Sequence, residues 1–287
     1  MRREKLTQYA DLVYNDKNNT PYISFPILEQ FDFVSHGFST RLGGVSSGIY
    51  ESMNLGFNRG DSETNVYENY RLLCEAIGVN EKNLVFTDQV HKANVRVATK
   101  DNCGMGITRE RTYTQIDGHI TNESNVPLIV FCADCVPILF VDPKTRSVGA
   151  THSGWKGTVQ KIGAVTVRKM VEEYSCRPED MIAVIGPCIG PECYEVSKDV
   201  ADAFEANFSK EQCAKILQCD GVNTEDELKY HLDLWEANRL ILLEAGLKQE
   251  NVVVSGLCTM CHTDLFFSHR ATQGKRGSMV GLIQVTN

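Results

Sequence analysis

The chain has 287 residues, with 29 Lys and Arg against 37 Asp and Glu, so its formal net charge is −8. Apolar residues make up 42% and charged residues 23%, which is typical of a soluble globular protein and excludes wholesale disorder. The acidic balance also argues against a general nucleic-acid surface, because such a surface needs a basic stripe.

The cysteines and the N-terminus bear on the cellular compartment. There are eleven cysteines, an odd number, so they cannot all pair within the chain. The N-terminal segment MRREKLTQYADLVYN is basic but lacks the apolar core of a signal peptide. The longest apolar stretch, Leu128 to Val141, is too short and interrupted to span a membrane. We therefore expect a cytoplasmic protein with free thiols and no membrane partner.

The first part of the chain is expected to form an arm, a strand and loops. Residues 1–21 are polar and predict a loosely held N-terminal arm before a single domain over residues 22–287. A first strand is predicted near Tyr22–Phe25. The density of glycines between residues 36 and 60 favours loop and short strand over helix.

A helix and a strand are predicted next. Residues 61–78 carry apolar residues at helical spacing and end at a glycine, Gly78, that suits a helix C-terminus. Residues 83–97 predict a strand, with Gln89-Val90-His91 inside it or at a break.

The centre of the chain predicts strands joined by short turns. Residues 126–142 predict two strands around a turn at residues 133–137, and residues 147–151 predict a third strand. Residues 153–158 then open a helix. The remaining predicted elements are strands at 181–185, 252–257 and 279–285, and helices at 196–208 and from Asp233 to Gly246. Strands and helices mix without strict alternation, which favours an α+β fold over a doubly wound one.

Two C-x-x-C pairs raise the possibility of a zinc site with four thiolates. They are Cys132/Cys135 and Cys258/Cys261. Cys132 lies in a predicted strand, where residues three apart point to opposite faces, so only a turn would bring the first pair to one metal.

A mixed set of one cysteine and two histidines fits a metal better. Cys135 lies at the predicted turn between two apolar strands, His152 ends the next strand, and His91 lies in or after an earlier one. Three strand ends side by side would present two imidazoles and a thiolate to one ion. Three protein ligands with an open fourth position are the pattern of catalytic zinc. The alternative is that these histidines are hydrogen-bonded structural groups.

Several features are candidates for binding an anion. Ser153, Gly154 and Lys156 open a glycine-rich turn at a helix start, where backbone N–H groups can approach a phosphate. Arg41 lies in a glycine-rich loop, and Arg270 follows Phe266-Phe267-Ser268-His269. The alternatives are a tight turn and solvated loop charges. No two histidines are two residues apart, so the sequence does not support a trinuclear copper site.

Taken together, these segments resemble the YfiH-like laccase-domain proteins, which are often labelled polyphenol oxidoreductases. The matching segments run in the family's order from residue 36 to near the C-terminus. They are HGFSTR at 36–41, NLG at 54–56, QVH at 89–91, ADCVP at 133–137, HSGWKG at 152–157, GP at 186–187, IG at 189–190, CYEV at 193–196, CT at 258–259 and FSHR at 267–270. His269 stands where many members have Tyr, and Ser153 and Lys156 replace a commoner Ala and Arg.

The resemblance implies a four-layer α/β/β/α sandwich of mixed β-sheets. It implies a purine nucleoside phosphorylase with adenosine deaminase activity, acting on a purine nucleoside and phosphate. It also implies that His91, Cys135 and His152 bind zinc, with copper as the alternative metal. Cys135, His152, Arg41 and Arg270 are then the expected catalytic residues, and the expected substrate-binding residues are Asn54, Gln89, Ser153 and Gly154.

Other functions compete with this one. Cys135 could act as a nucleophile with His152 as its base, as in cysteine hydrolases, and some relatives are labelled peptidoglycan editing factors. Copper at a His/Cys site would favour oxidation of polyphenols. A fourth possibility is a metal-stabilised scaffold without catalysis.

Overall fold

Two six-stranded sheets lie face to face, and helices cover both outer faces, in a computed structural model that describes residues 11–222 and 228–287. The strands, in chain order, are β1 (Val13–Lys17), β2 (Thr20–Ser24), β3 (Val34–Ser39), β4 (Val85–Phe86), β5 (Val95–Val97), β6 (Gly118–Thr121), β7 (Leu128–Cys132), β8 (Val136–Asp142), β9 (Ser147–Ser153), β10 (Ile182–Ile185), β11 (Glu195–Ser197), β12 (Leu217–Val222), β13 (Leu228–Leu232), β14 (Val252–Val254) and β15 (Met279–Val285).

The helices are mostly short. They are α1 (Pro26–Glu29), α2 (Glu63–Ile77), α3 (Trp155–Val159), α4 (Ile162–Tyr174), α5 (Lys198–Glu205), α6 (Lys210–Ile216), α7 (Leu234–Glu244) and α8 (His269–Thr272). In the part of the chain that the structure describes, no helix is both long and apolar enough to cross a membrane.

Both large sheets mix parallel and antiparallel neighbours. The first sheet has the order β1-β2-β3-β15-β7-β4, and only β4 and β7 in it pair in parallel. The second has the order β14-β10-β8-β9-β6-β5, with parallel pairs at both edges. A smaller sheet has the order β11-β13-β12. The predicted α+β class and its mixed sheets are confirmed.

The strand sequences explain why the molecule has four layers. In β8, Leu139 and Val141 pack into the core between the sheets, whereas Ile138 and Phe140 pack outward against α4 and α7. Successive side chains of a strand point to opposite faces, so a continuous apolar run indicates a strand buried on both sides. The first sheet repeats this pattern, because its outer face packs against α2. The four-layer α/β/β/α sandwich is therefore confirmed.

Several sequence predictions agree with the structure. The apolar face of α2 is buried, and Gly78 ends that helix with a left-handed φ of +86°. The Asp233 side chain accepts a hydrogen bond from the N–H of Glu236 at the start of α7. The cysteines all lie in the described residues and carry free thiols, as expected.

Other predictions need correction. Residues 83–97 do not form one strand: β4 belongs to the first sheet and β5 to the second, and the segment between them crosses from sheet to sheet. Residues 13–17 of the predicted arm form β1, because their backbone pairs with β2. Residues 1–10 lie outside the described residues. The helix predicted from residue 196 begins at Lys198, because residues 195–197 pair with β13.

Candidate functional site

The structure brings His91, Cys135 and His152 together, and we call these residues the cavity trio. One potential ligand atom from each lies within 4.8 Å of the others. The Cys135 Sγ is 3.9 Å from the His91 Nε2, and the two imidazole centroids are 4.8 Å apart. Tetrahedral zinc with bonds of about 2.1 Å to nitrogen and 2.3 Å to sulfur separates the two ligand atoms by about 3.6 Å. The donor set and its spacing therefore fit a zinc ion.

Each member of the cavity trio comes from a different part of the two sheets. His91 lies on the segment that crosses from β4 to β5, and Cys135 lies on the turn that crosses from β7 to β8. His152 is the penultimate residue of β9. The trio thus forms where the chain passes between the two sheets.

Asp117 is the buried carboxylate that fixes both histidines. Its two oxygens accept the backbone N–H groups of Val90, His91 and Lys92, at 3.0, 2.9 and 3.1 Å. Asp117 Oδ1 also lies 2.9 Å from His152 Nδ1. These bonds hold His91 at a left-handed φ of +61°, which is unfavourable for most residues. A carboxylate on Nδ1 leaves Nε2 of His152 for a metal, as in carboxylate–histidine–zinc sites.

Asp134 plays the equivalent part beside Cys135. Its φ is +83°, and its carboxylate accepts hydrogen bonds from the Thr259 hydroxyl at 2.6 Å, the Ser268 hydroxyl at 3.1 Å and the Arg270 backbone N–H at 2.7 Å. These contacts stabilise the left-handed turn that points the Cys135 sulfur at the histidines.

Gly154 packs directly against the cavity trio. A Cβ at this position would lie 2.8 Å from the His91 Cδ2 and 3.2 Å from the Cys135 Sγ. Any side chain there would have to displace a ligand. Close packing against the cavity trio therefore explains why this position is a glycine.

The electrostatics of the trio favour a thiolate. Burial opposes ionisation of Cys135, but the charge of His152 and hydrogen bonds from both histidines outweigh it and lower the thiol's pKa to about 6. Burial likewise opposes a charged His152, yet Cys135 and Asp117 raise the pKa of this imidazole to about 9. The Asp117 pKa is lowered despite its burial, because His152 and backbone N–H groups bond to it. A deprotonated thiol is the form that binds metal or attacks an electrophile.

The trio lies in a cavity of about 780 Å³ whose walls differ in character. Besides the trio, the lining includes a group of aromatic rings, namely Phe57, Tyr67, Phe86, Tyr113 and Phe131, and a group of arginines, namely Arg59, Arg109, Arg111 and Arg276. Thiolate, imidazole, aromatic and cationic groups thus face one space.

Arg276 is the most unusual of these arginines. It is only 9% exposed; its Nη1 donates to the Gly277 carbonyl at 2.9 Å and to the Ser278 hydroxyl at 3.0 Å. Its Nε has no hydrogen-bond partner among the described residues. Burial, and next the charge of Arg59, lower the guanidinium pKa to about 10. A buried cation with a free donor beside a second cation favours an anionic ligand.

Arg41 and Arg270 do not line this cavity. The Arg41 guanidinium donates to the carbonyls of Glu51 at 2.9 Å and Thr263 at 3.0 Å. Both terminal nitrogens of Arg270 donate to the Glu195 carbonyl at 2.9 Å. Their placement gives no support to the expectation that either holds phosphate in this cavity, because both guanidinium groups brace backbone segments instead.

Asn54 and Gln89 shape the cavity wall. The buried Asn54 carboxamide accepts the N–H groups of Gly56 at 3.0 Å and Ser278 at 2.9 Å, which joins two lining segments. Gln89 lines the cavity, but its amide accepts the Phe131 N–H at 2.7 Å and donates to the Phe131 carbonyl at 2.9 Å. Both amides are thus engaged with backbone.

The turn at residues 153–158 is not part of the lining of this cavity. Ser153 is buried, and its hydroxyl donates to Asn238 at 2.8 Å and lies 3.0 Å from the Thr158 hydroxyl. Neither Ser153 nor Gly154 is among the lining residues. The hydroxyls of Ser153 and Thr158 both bond to the Asn238 side chain, which links the start of α3 to α7.

Sequence reasoning missed Asp117, Arg59 and Arg276. No spacing rule connects Asp117 with His91, which lies 26 positions earlier. The two arginines each precede a glycine, at Arg59-Gly60 and Arg276-Gly277. The criterion that selected Arg41, an arginine in a glycine-rich loop, would therefore have found them too.

Comparison with known proteins identifies the family. Residues 35–286 match the family model described as "Multi-copper polyphenol oxidoreductase laccase". The chain is 40% identical over 251 residues to "Purine nucleoside phosphorylase YlmD" of Bacillus subtilis, covering 87% of this chain and 88% of that protein. The chain belongs to the YfiH-like laccase-domain family.

Solved structures of the YfiH-like laccase-domain family have the same fold. The crystal structure of the Bacillus licheniformis hypothetical protein YfiH superposes with a TM-score of 0.87 at 34% identity, covering 95% of this chain and 99% of that one. YlmD from Geobacillus stearothermophilus gives a TM-score of 0.85 at 34% identity, covering 96% and 100%. The described residues hold two clusters of three metal-type ligands, and neither contains paired histidines of the H-x-H kind.

Proposed function

We propose that this chain is a purine nucleoside phosphorylase. It takes a purine nucleoside such as inosine, adenosine, guanosine or methylthioadenosine with phosphate, and releases the base and the corresponding pentose 1-phosphate. The name of the Bacillus subtilis relative supports the reaction class. The observation that carries the proposal is that the largely buried Arg276 lines the same cavity as the cavity trio, beside a second cation, Arg59.

Arg276 and Arg59 are the proposed phosphate-binding residues. Phosphate oxygens would accept hydrogen bonds from the guanidinium groups that line the cavity and would relieve the repulsion between them. Charge-assisted bonds of this kind also fix the orientation of the anion. Phosphate held in this way attacks the ribose C1′ as the bond to the base breaks, and its charge stabilises the cationic ribose in the transition state.

The aromatic wall is the proposed binding surface for the purine. Tyr67 is 45% exposed, and its ring centroid lies 4.9 Å from that of Phe57. The Tyr67 hydroxyl is fixed by donation to the Ile107 carbonyl at 2.9 Å. A rigid aromatic edge of this kind can stack on a base of any purine nucleoside, because every base has a π-face.

Zinc is the proposed metal of the cavity trio, with copper as the alternative. Bound zinc would supply a Lewis acid at the cavity floor. The chain's own contribution is positional: Asp117 fixes the tautomer of His152 and the loop of His91, and Asp134 fixes the turn of Cys135. Adenosine deamination is the proposed second activity, because the cavity trio offers a metal-binding face to the space that would hold the base.

The experiment is an assay of purified protein with inosine, following hypoxanthine and ribose 1-phosphate. We expect both products with phosphate and neither without it, because phosphorolysis consumes phosphate. Loss of a hydrogen-bond partner of a metal ligand lowers activity by up to roughly 100-fold. Cys135→Ala removes a ligand itself, so it should lower the rate of inosine phosphorolysis by more than that. Cys103→Ala, a partly exposed thiol outside the cavity lining, is the control and should keep full activity. Hypoxanthine formation at equal rates without phosphate, or an active Cys135→Ala variant, would contradict the proposal.

A cysteine hydrolase is the second candidate. The lowered pKa of Cys135 and the pairing of His152 with Asp117 form a nucleophile–base–carboxylate series. Metal analysis separates the two functions. Stoichiometric zinc lost on Cys135→Ala supports the phosphorylase, whereas metal-free protein that cleaves an amide substrate supports the hydrolase.

A further inference from the structure

A second group of potential metal ligands lies outside the cavity. Cys193, Cys258 and Cys261, which we call the thiol trio, place their sulfur atoms within 4.8 Å of one another. The Cys193 and Cys261 sulfurs are 3.4 Å apart, and both thiols are free. Cys193 ends a 3₁₀ turn at residues 191–193, and the other two form a C-x-x-C segment after β14.

Backbone donors point at the buried sulfur of this trio. The Cys258 Sγ accepts the N–H of Gly190 at 3.1 Å and the N–H of Cys261 at 3.4 Å. The second bond joins the last residue of the C-x-x-C turn to the sulfur of its first residue. Such outer donors orient a ligand and stabilise its negative charge. They position Cys258 for a metal without using its remaining lone pairs.

The dimensions of the thiol trio suit zinc. Tetrahedral coordination with Zn–S bonds of about 2.3 Å places the sulfurs about 3.8 Å apart. The Cys193 and Cys261 sulfurs, 3.4 Å apart, are slightly closer than that value, and all three sulfurs lie within 4.8 Å of one another. Cys258 is buried, Cys193 is half-buried and Cys261 is exposed, so a fourth position is open to solvent.

We propose that Cys193, Cys258 and Cys261 bind a second zinc ion, with water or a small exogenous ligand in the fourth position. Thiolate ligands select zinc over the oxygen-seeking divalent ions. The four-thiolate alternative with Cys132 and Cys135 is excluded by position, because Cys135 belongs to the cavity trio. The cysteine that joins Cys258 and Cys261 is Cys193, from a distant part of the sequence.

The proposed ion would act as a structural brace for the cavity. Thr259, inside the C-x-x-C segment, donates to the Asp134 carboxylate at 2.6 Å. Ile189, on the segment that carries Gly190, donates its N–H to the Asp134 carbonyl at 3.0 Å. Linking Cys193 to Cys258 and Cys261 therefore fixes the two segments that hold the turn before Cys135.

The test is the zinc content of the full chain after dialysis against free zinc and then buffer. Cys193→Ser and Cys261→Ser should each hold one zinc fewer per chain than the wild type. Cys219→Ser, an exposed thiol on β12, is the matched control and should hold the wild-type amount. Equal zinc content in the wild type and Cys193→Ser would overturn the proposal. The count does not depend on nucleoside cleavage, so its failure is distinguishable from failure of the phosphorylase.

A second measurement needs no variant that might misfold. Zinc should protect Cys193 and Cys261 of the wild type from alkylation, as mapped by mass spectrometry, and chelation should restore their labelling. Cobalt in place of zinc should give strong sulfur-to-metal absorption that persists in Cys135→Ala. Equal alkylation of Cys193 and Cys261 with and without zinc would overturn the proposal of a second site. A Cys193–Cys261 disulfide in protein purified with reductant would also overturn it.

Discussion

The cavity trio and the thiol trio each gather three metal-type ligands within the same small radius, yet their surroundings differ. In the cavity trio, a buried carboxylate orients His152, and the site faces a cavity with aromatic and cationic walls. In the thiol trio, backbone N–H groups orient the buried sulfur, and the site faces solvent. The ligands alone therefore do not distinguish a catalytic metal site from a structural one. The hydrogen-bond partners of the ligands, and the cavity or solvent that the site faces, do distinguish them.

Removing the charge of Asp117 should produce the largest effect among the variants that break this comparison. Asp117→Asn keeps the side-chain shape but weakens the bonds to His152 and the His91 loop. We expect a loss of about 10–100-fold in zinc affinity and inosine phosphorolysis, the usual cost of losing an outer carboxylate. Zinc titration and initial rates measure both.

Asp142 provides the matched control for this change. It is also buried, and its carboxylate accepts the N–H groups of Lys144 and Thr145, far from either trio in the sheet. Asp142→Asn should lower the melting temperature without changing the cavity zinc. Equal zinc loss in both variants would mean that general destabilisation, and not the bond to His152, caused the effect.

Loss of the proposed phosphate contact of Arg276 should give the next largest effect. Arg276→Lys removes the planar donor fork and should raise the KM for phosphate about 10-fold, with little change in the KM for inosine. Steady-state kinetics with phosphate varied measures this. Arg41→Lys is the control, because Arg41 donates to backbone carbonyls outside the cavity. A phosphate KM that moves with Arg41 and not with Arg276 would reverse our assignment.

Two glycines of one turn offer a finer comparison. Gly154→Ala places a methyl group 2.8 Å from the His91 ring, and a cost of about 1.4 kcal/mol would weaken zinc binding tenfold. Gly157→Ala meets its nearest atom, the His152 carbonyl oxygen, at 3.5 Å, an ordinary contact. It should retain wild-type zinc affinity in the same titration. Equal weakening in both would show that turn flexibility, and not the ligand contact, matters.

The pH dependence of alkylation should separate Cys135 from ordinary thiols. Because its pKa is lowered to about 6, Cys135 in metal-free protein is a thiolate above that pH, and its labelling should level off near neutrality. Cys103, whose pKa burial raises, should still gain reactivity above pH 9. Mass-spectrometric labelling rates across pH check this. A Cys135 profile parallel to that of Cys103 would contradict the thiolate–imidazolium pair.

The sequence predicted that the cavity trio lies together, because its members end or interrupt apolar strands, but it left structural histidines as an alternative. It did not reveal that residues 83–97 cross between sheets. That crossing depends on Asp117, which captures three consecutive N–H groups from a position outside the segment. The pattern of apolar residues within 83–97 could not indicate this contact, because Asp117 lies outside the segment.

The arginines illustrate the same limit of local patterns. Arg41 lies in a glycine-rich loop and Arg276 precedes a glycine, so charge and spacing do not distinguish them. Arg41 donates to the carbonyl of Thr263, 222 positions away, whereas the Arg276 Nε has no hydrogen-bond partner in residues 11–222 and 228–287. Only the folded chain determines which guanidinium is satisfied by backbone and which remains for a ligand.

Two of the crossings between the sheets, from β4 to β5 and from β7 to β8, have a mechanical consequence. His91 and Cys135 lie on the chain segments that pass from one sheet to the other, and His152 belongs to the second sheet alone. An ion bound by all three residues would cross-link the two sheets at one end. Sliding of one sheet over the other would then separate the ligands of the ion. Metal binding and the packing of the two sheets are therefore thermodynamically linked. A change that stabilises this packing should raise the affinity for the metal, and bound metal should stabilise the packing.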